Sequence, residues 1–189
     1  MINRFIALGA LALGGAYLAK KYSSKNAEAR SDSTVQDSII VNVPVRTAYD
    51  QWTQFEEFPK FMDSVQEVKQ LDNKRLHWKA EVMGKPIEWD AEITEQLPDQ
   101  CIAWRSTSGK QNDGTVRFDK LSENRTRIRL EIVYVPEGPV ETIGDAMGGV
   151  RLEARSNLKK FKQMIEGRGK QTGGWRGVIQ DQPAGHPAT

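Results

Sequence analysis

The sequence predicts an α+β domain: a curved, mostly antiparallel sheet of seven strands wrapped around a long C-terminal helix, with two short helices after the first strand. Three observations carry this. Between Val65 and Val135 the chain alternates apolar and polar residues in short runs separated by turn-forming residues, as strands joined by hairpins do. From Pro139 to Glu166, Val140, Ile143, Met147, Val150, Ala154, Leu158, Phe161 and Ile165 step by three or four, which sets them on one stripe of a helix. The alternation also sorts apolar residues to one sheet face and charged residues to the other, so the stripe has a dry surface to cover.

Taken in order, Ile39, Val41 and Val43 form the apolar face of a first strand that Pro44 ends. Val45, Ala48, Tyr49, Trp52 and Phe55 recur at helical spacing, and Phe58, Phe61 and Met62 continue them. Pro59 is expected to break that segment into two short helices. The remaining strands are Val65–Leu71, Arg75–Met83, Ile87–Leu97, Cys101–Thr107, Gly114–Leu121 and Arg125–Val135. Turn residues separate them, among them Asp72-Asn73-Lys74, Gly84-Lys85-Pro86 and Pro98-Asp99-Gln100. The long helix starts at Gly138-Pro139, stops at Gly167 and is about 40 Å long at about 1.5 Å per residue. Gly144, Gly148 and Gly149 lie inside it, each costing about 1 kcal/mol against Ala. Close backbone packing, or space kept open for something else, would explain them.

The phase of the alternation defines a candidate site. The inner face carries Leu76, Trp78, Ala80 and Val82, then Ile87, Trp89, Ala91 and Ile93, then Ile102, Trp104 and Ser106. Val116, Phe118, Ile128, Leu130, Ile132 and Tyr134 complete it. One helix about 10 Å across does not fill a strongly curved sheet, so an apolar hollow is expected beneath it. Its wall would be Trp78, Trp89, Trp104, Ser106, Phe118, Leu130, Ile132 and Tyr134 from the sheet, with Ile143 and Met147 from the helix. The three tryptophans are either ordinary core or a wall for a ring-shaped ligand. Ser106 and Tyr134 either orient a ligand or bond to backbone. A register slip of one residue would invert these assignments.

The 189 residues, 38% hydrophobic and 28% charged, suit one globular domain with extensions. A single cysteine, Cys101, excludes an internal disulfide and argues against a cysteine-based metal site. Two histidines leave little for zinc or acid–base chemistry, and His77 falls on the outer face by parity. No ionisable residue falls on the inner face as read here, so no catalytic residue is named, and no cofactor or metal is expected. Arg125, Arg127 and Arg129 alternate with Glu131 beside acidic neighbours, which reads as a solvated face with cross-strand pairs rather than a nucleic-acid surface.

The run from Phe5 to Ala19 is uncharged, with Arg4 before it and Lys20 and Lys21 after. It falls short of the roughly 20 residues of a comfortable span, but Ile2 and Tyr22 extend it with snorkelling lysines. Residues 1–22 are therefore expected to anchor the chain at a membrane. The rival readings are a signal peptide, which would make the mature protein secreted or periplasmic, and a surface-lying helix. The flanking charges do not decide orientation. Residues 23–34 read as a polar linker and 35–166 as the domain. The Gly-rich tail 167–189 is expected to be mostly disordered, with Trp175 its one adhesive residue.

The segments VNVPVRTAYDQWTQFEEFPKFM, HWKAEV, IEWDAEI, CIAWRST, GTVRFDKL and TRIRLEIVYVPEGP are similar to the START-like superfamily also called SRPBCC. Within it the chain most resembles the polyketide cyclase/dehydrase and coenzyme-Q-binding group, and LKKFKQMIEGRGKQTGGWRG resembles members with a Trp-containing tail. The likeness covers Val35 to Gly177. It implies a helix-grip (START/Bet v 1-like) fold enclosing a pocket for lipids, polyketides, quinones or hormones. It also implies that cyclising relatives carry polar and ionisable groups inside that pocket. The expected function is a membrane-tethered module that binds or transports a hydrophobic small molecule. The alternatives are a cyclase/dehydrase-type enzyme and a ligand-free interaction domain.

Overall fold

A computed structural model of the chain describes residues 33–82, 84–109, 111–134 and 140–180. For Ser33, Val82, Tyr134 and residues 140–147 it describes the backbone alone. The expected anchor 1–22 and most of the linker lie outside the described residues. Among those described, no helix is long and apolar enough to cross a membrane.

Strand β1 (Ser33–Val41) is followed by helix α1 (Val45–Trp52) and a 3₁₀-helix (Phe55–Lys60). Then come β2 (Val65–Gln70), β3 (Arg75–Val82), β4 (Lys85–Leu97), β5 (Cys101–Gly109), β6 (Asp113–Ser122) and β7 (Arg125–Tyr134). Helix α2 (Val140–Arg168) and a short β8 (Ile179–Gln180) complete the chain. The sheet is antiparallel throughout, in the order β1-β7-β6-β5-β4-β3-β2, and β8 lies beside the end of β4 that β3 leaves uncovered.

The turns form where local chemistry closes them. The Asp72 carboxylate accepts the backbone N–H groups of Lys74 and Arg75, both at 2.8 Å, which fixes the β2–β3 turn. These bonds, with the Arg75 side chain, hold the exposed carboxyl down to about 2. Asp99 takes the left-handed conformation, φ 63°, to reverse the chain between β4 and β5.

Helix α2 lies across the open side of the sheet. Val150, Ala154, Leu158, Phe161 and Ile165 are buried, as their spacing demands, and the Phe161 ring meets Trp52 at 4.7 Å and Phe61 at 5.3 Å. Each of these side chains except that of Ala154 contributes about 1.5–3 kcal/mol by leaving water. Polar groups on the two flanks of the stripe reach the two ends of the strand order. Towards β1, Arg155 meets Asp37 at 2.9 Å, Lys162 donates to the Ile40 carbonyl at 2.8 Å, and Glu166 accepts the Asn42 N–H at 2.6 Å. Towards β2, Glu153 bonds Ser64 and Lys160 pairs with Asp63. The helix thus bridges both edges of the curved sheet.

Four sequence expectations need correcting. β1 begins at Ser33 rather than near Ser38, because the polar Gln36 and Ser38 face outward while Val35 pairs opposite Ile132 on the inner side. Pro59 does not divide the helical segment: the break falls at Thr53–Gln54, and Pro59 sits inside the 3₁₀-helix. β4 carries an irregularity between Ile93 and Glu95, which shifts the pleat and buries Thr94 and Gln96.

The fourth concerns the tail, which is built onto the domain through Gln180. Gly169, at φ 70°, ends α2. Thr172 then donates its N–H to Gln51 and Trp175 donates its N–H to Thr53, each at 3.0 Å. The two glycines between them permit this approach: a Cβ would stand 2.5 Å from Gln54 Oε1 at Gly173 and 2.7 Å from Asp50 Cγ at Gly174.

Candidate functional site

The concave face of the sheet lies under α2, and on its β3–β4 side it carries an indole pair. Trp78 and Trp89 are directly opposite in the β3–β4 register, both on the inner side. Their rings stack at 5.5 Å with 11° between planes, and Phe58 meets Trp78 edge-on at 5.7 Å. A cross-strand aromatic pair of this kind stabilises a sheet by roughly 0.5–1.5 kcal/mol beyond area burial. Ala80 and Ala91 flank the pair on the same face, and both are buried.

The pair is also polar, and that polarity is unspent. Among the described residues neither Trp78 Nε1 nor Trp89 Nε1 has a hydrogen-bond partner. An indole N–H is a donor only, and a buried donor left unpaired costs about 1–3 kcal/mol. A third such atom is the Asn157 Nδ2 on α2, whose residue is 4% exposed. Asn157 lies one turn from both Glu153 and Lys160, which reach the β2 side, so it occupies the flank of the buried stripe nearer β2 and β3.

The rest of the predicted wall divides. Trp104 is buried and its Nε1 donates to Asn112 Oδ1 at 3.4 Å. Ser106 is half-buried, and its hydroxyl donates to Asp113 at 3.1 Å and accepts the Asn112 N–H at 2.9 Å. That hydroxyl closes the β5–β6 connection. Phe118 sits edge-on to Tyr49 at 5.6 Å, and Leu130 and Ile132 are buried on the neighbouring strand. The side chains of Tyr134, Ile143 and Met147 lie outside the described residues.

Among the described residues the ionisable groups near the interior are either paired or held neutral by burial. Asp37 shares the inner phase of β1, opposite Leu130, which corrects the expectation of an inner face free of charge; it is paired with Arg155 at the edge. Asp37 lies in the polar first half of β1, where hydropathy does not mark a strand. Tyr49 accepts a hydrogen bond from Gln96 Nε2 at 3.1 Å, and burial pushes its hydroxyl up to about 12 against that bond. Burial likewise pushes the Cys101 thiol up to about 11, which leaves it unreactive. On the outer face, His77 Nδ1 lies 2.8 Å from Asp90 and its Nε2 lies 3.3 Å from Glu88. Among the described residues no cluster of His, Cys, Asp or Glu is arranged to hold a metal ion. A polar depression of about 450 Å³ on the sheet, with Gln36, Ser38, Arg117 and Arg129 in its lining, stands apart from the indole pair.

Sequence reasoning found the indole pair and missed Asn157. The signal was present: Asn157 follows Ala154 by three and precedes Phe161 by four, so it belongs to the stripe by position although not by hydropathy.

The sequence profile described as polyketide cyclase / dehydrase and lipid transport matches residues 41–162. The chain belongs to that family. A polyketide cyclase/dehydrase-family assignment spans the strands of the indole pair and the helix segment that carries Asn157. An uncharacterised 17.2 kDa protein of Streptomyces lincolnensis, encoded between melC2 and rnhH, is 44% identical over 148 residues, covering 78% of this chain and 99% of that protein. Two solved structures share the fold. The Zhui aromatase/cyclase from Streptomyces sp. R1128 is 16% identical with a TM-score of 0.61, over 76% of this chain and 99% of its own. A START superfamily protein from Mycobacterium smegmatis is 16% identical with a TM-score of 0.56, over 71% and 95%. The architecture is the helix-grip of START-like proteins, with a curled seven-strand sheet gripping the long C-terminal helix.

Proposed function

We propose that this polyketide cyclase/dehydrase-family domain binds a hydrophobic, ring-bearing small molecule between α2 and the concave face of the sheet. One observation carries the reading: a stacked indole pair, buried in an apolar interior, keeps both N–H donors unpartnered. Flat aromatic faces attract a flat apolar ligand, and unpaired donors reward one that brings oxygen. Binding or transport is favoured over cyclisation because Asp37 is neutralised by Arg155 and Tyr49 is committed to Gln96, leaving neither poised as a base. Quinones, polyketide-like rings and ring-bearing lipids fit this description. The uncharged run from Phe5 to Ala19 would hold the domain against a bilayer, where such ligands dissolve.

Native mass spectrometry of the full chain, purified without detergent and offered a quinone, tests the binding reading. A retained small molecule or a one-to-one adduct is expected. A bare protein that takes up nothing overturns it. Fractionation of cells making the full chain and a chain starting at Ser33 tests the tether, with only the former expected to sediment with membranes.

A further inference from the structure

We infer that the site discriminates the oxidation level of its ligand's oxygen, taking a ring ketone or quinone in preference to the alcohol or phenol of the same skeleton. This rests on the reading that a ligand lies against the indole pair. Among the described residues three buried side-chain atoms lack a hydrogen-bond partner, Trp78 Nε1, Trp89 Nε1 and Asn157 Nδ2. All three are N–H donors, and no buried side-chain oxygen is left in the same condition. Two of the three are donors without alternative, because an indole has no acceptor to offer. Beside the indole pair, the Phe58 ring meets Trp78 edge-on and Ala80 and Ala91 share its face of the sheet, and none of these side chains offers an acceptor.

A carbonyl oxygen is the complement of such a surface, since it accepts and brings no hydrogen of its own. A hydroxyl also accepts, but brings an O–H that neither indole can receive. An unmade hydrogen bond of a buried donor lowers affinity by about tenfold or more. A hydrocarbon of the same shape fills the space and leaves the indole N–H groups unpaired, at a similar loss. The site therefore ranks ligands by oxygen chemistry as well as by shape.

The test uses three tricyclic probes of one outline: 9-fluorenone, 9-fluorenol and fluorene, titrated by calorimetry against the full chain and against a Trp78→Phe/Trp89→Phe double variant. Phenylalanine keeps a ring in the stack and removes the N–H. Fluorenone is expected to bind about tenfold more tightly than either of the others. In the double variant that advantage should fall to within about twofold, with fluorene as the reference for what the lost ring surface alone does to affinity. The single variants, each expected to lose part of the advantage, stand in if the double variant does not fold. Fluorenol binding as tightly as fluorenone, or a ketone advantage that survives the double variant, overturns the inference and leaves the binding reading intact. Failure of all three probes to bind counts against both.

Discussion

Arg176 donates to both carboxylate oxygens of Asp99, at 3.0 and 2.7 Å, and also to Asp50 at 2.7 Å, while its guanidinium lies 5.7 Å from the Tyr49 ring. One side chain of the tail thus joins the β4–β5 turn to α1. Bidentate geometry and the depth of Asp50, whose side chain is 4% exposed, make this more than a surface ion pair.

Arg176→Met should therefore lower stability by about 1–2 kcal/mol, with Arg46 at 3.5 Å left as the remaining partner of Asp50. At this size that is a fall in Tm of about 2–8 °C. Arg176→Lys should recover only part of it, because an ammonium cannot span two carboxylates. Differential scanning calorimetry measures the loss, and trypsin should cut after Lys170 faster in the Met variant.

Alkali should unfold the protein through Tyr49 and Cys101. The folded-state values, about 12 and about 11, lie above the ordinary 10.0 and 9.0 because burial disfavours both anions. A group that holds its proton more tightly when folded contributes stability that is complete below its ordinary value and is lost as pH rises through its folded value. Wild type should lose about 2 kcal/mol or more between pH 9 and 12. A Tyr49→Phe/Cys101→Ala variant should show a flatter profile in urea titrations across that range.

Two glycines with the same backbone twist should respond differently to alanine. Gly84 has φ 74° and open space around it, so Gly84→Ala should cost about 1–2 kcal/mol from strain alone. Gly109 has φ 70°, and a Cβ there would stand 2.6 Å from the Glu88 carbonyl and 3.0 Å from Trp89 Cβ. Gly109→Ala should cost more, about 2–4 kcal/mol, and should disturb the neighbouring indole. Equal thermal shifts for the two variants would contradict this account.

Asn157→Leu should raise stability by about 1 kcal/mol, because it replaces an unpaired buried amide with a side chain suited to the stripe. The same variant should bind an oxygenated ring less tightly. A lower urea midpoint would mean that the amide is serving the folded state after all.

The sheet was legible because its turns announce themselves and its pleat repeats every second residue. That parity placed Trp78 and Trp89 on one face before any coordinates, and the register sets them directly opposite. What stayed hidden was non-local. The shift at Ile93–Glu95 buries Gln96 so that it can reach Tyr49, and nothing in the local pattern marks it. The tail read as flexible because Gly173 and Gly174 look like spacer residues, whereas they are small so that Gln54 and Asp50 can come close. Asn157 is polar, so hydropathy does not mark it as part of the stripe, and the unpaired state of its Nδ2 among the described residues depends on the tertiary fold.

The pairing of β1 with β7 sets the order of events when the chain is made. Ser33 finds its neighbour only at Tyr134, and Val41 only at Thr126. A ribosome must therefore complete six further strands before the first one has anywhere to dock, and the clamping helix emerges later still. Newly made molecules pass through an interval with one strand unmatched and the oily basin uncovered, so assembly should be slow and sensitive to crowding by its own kind.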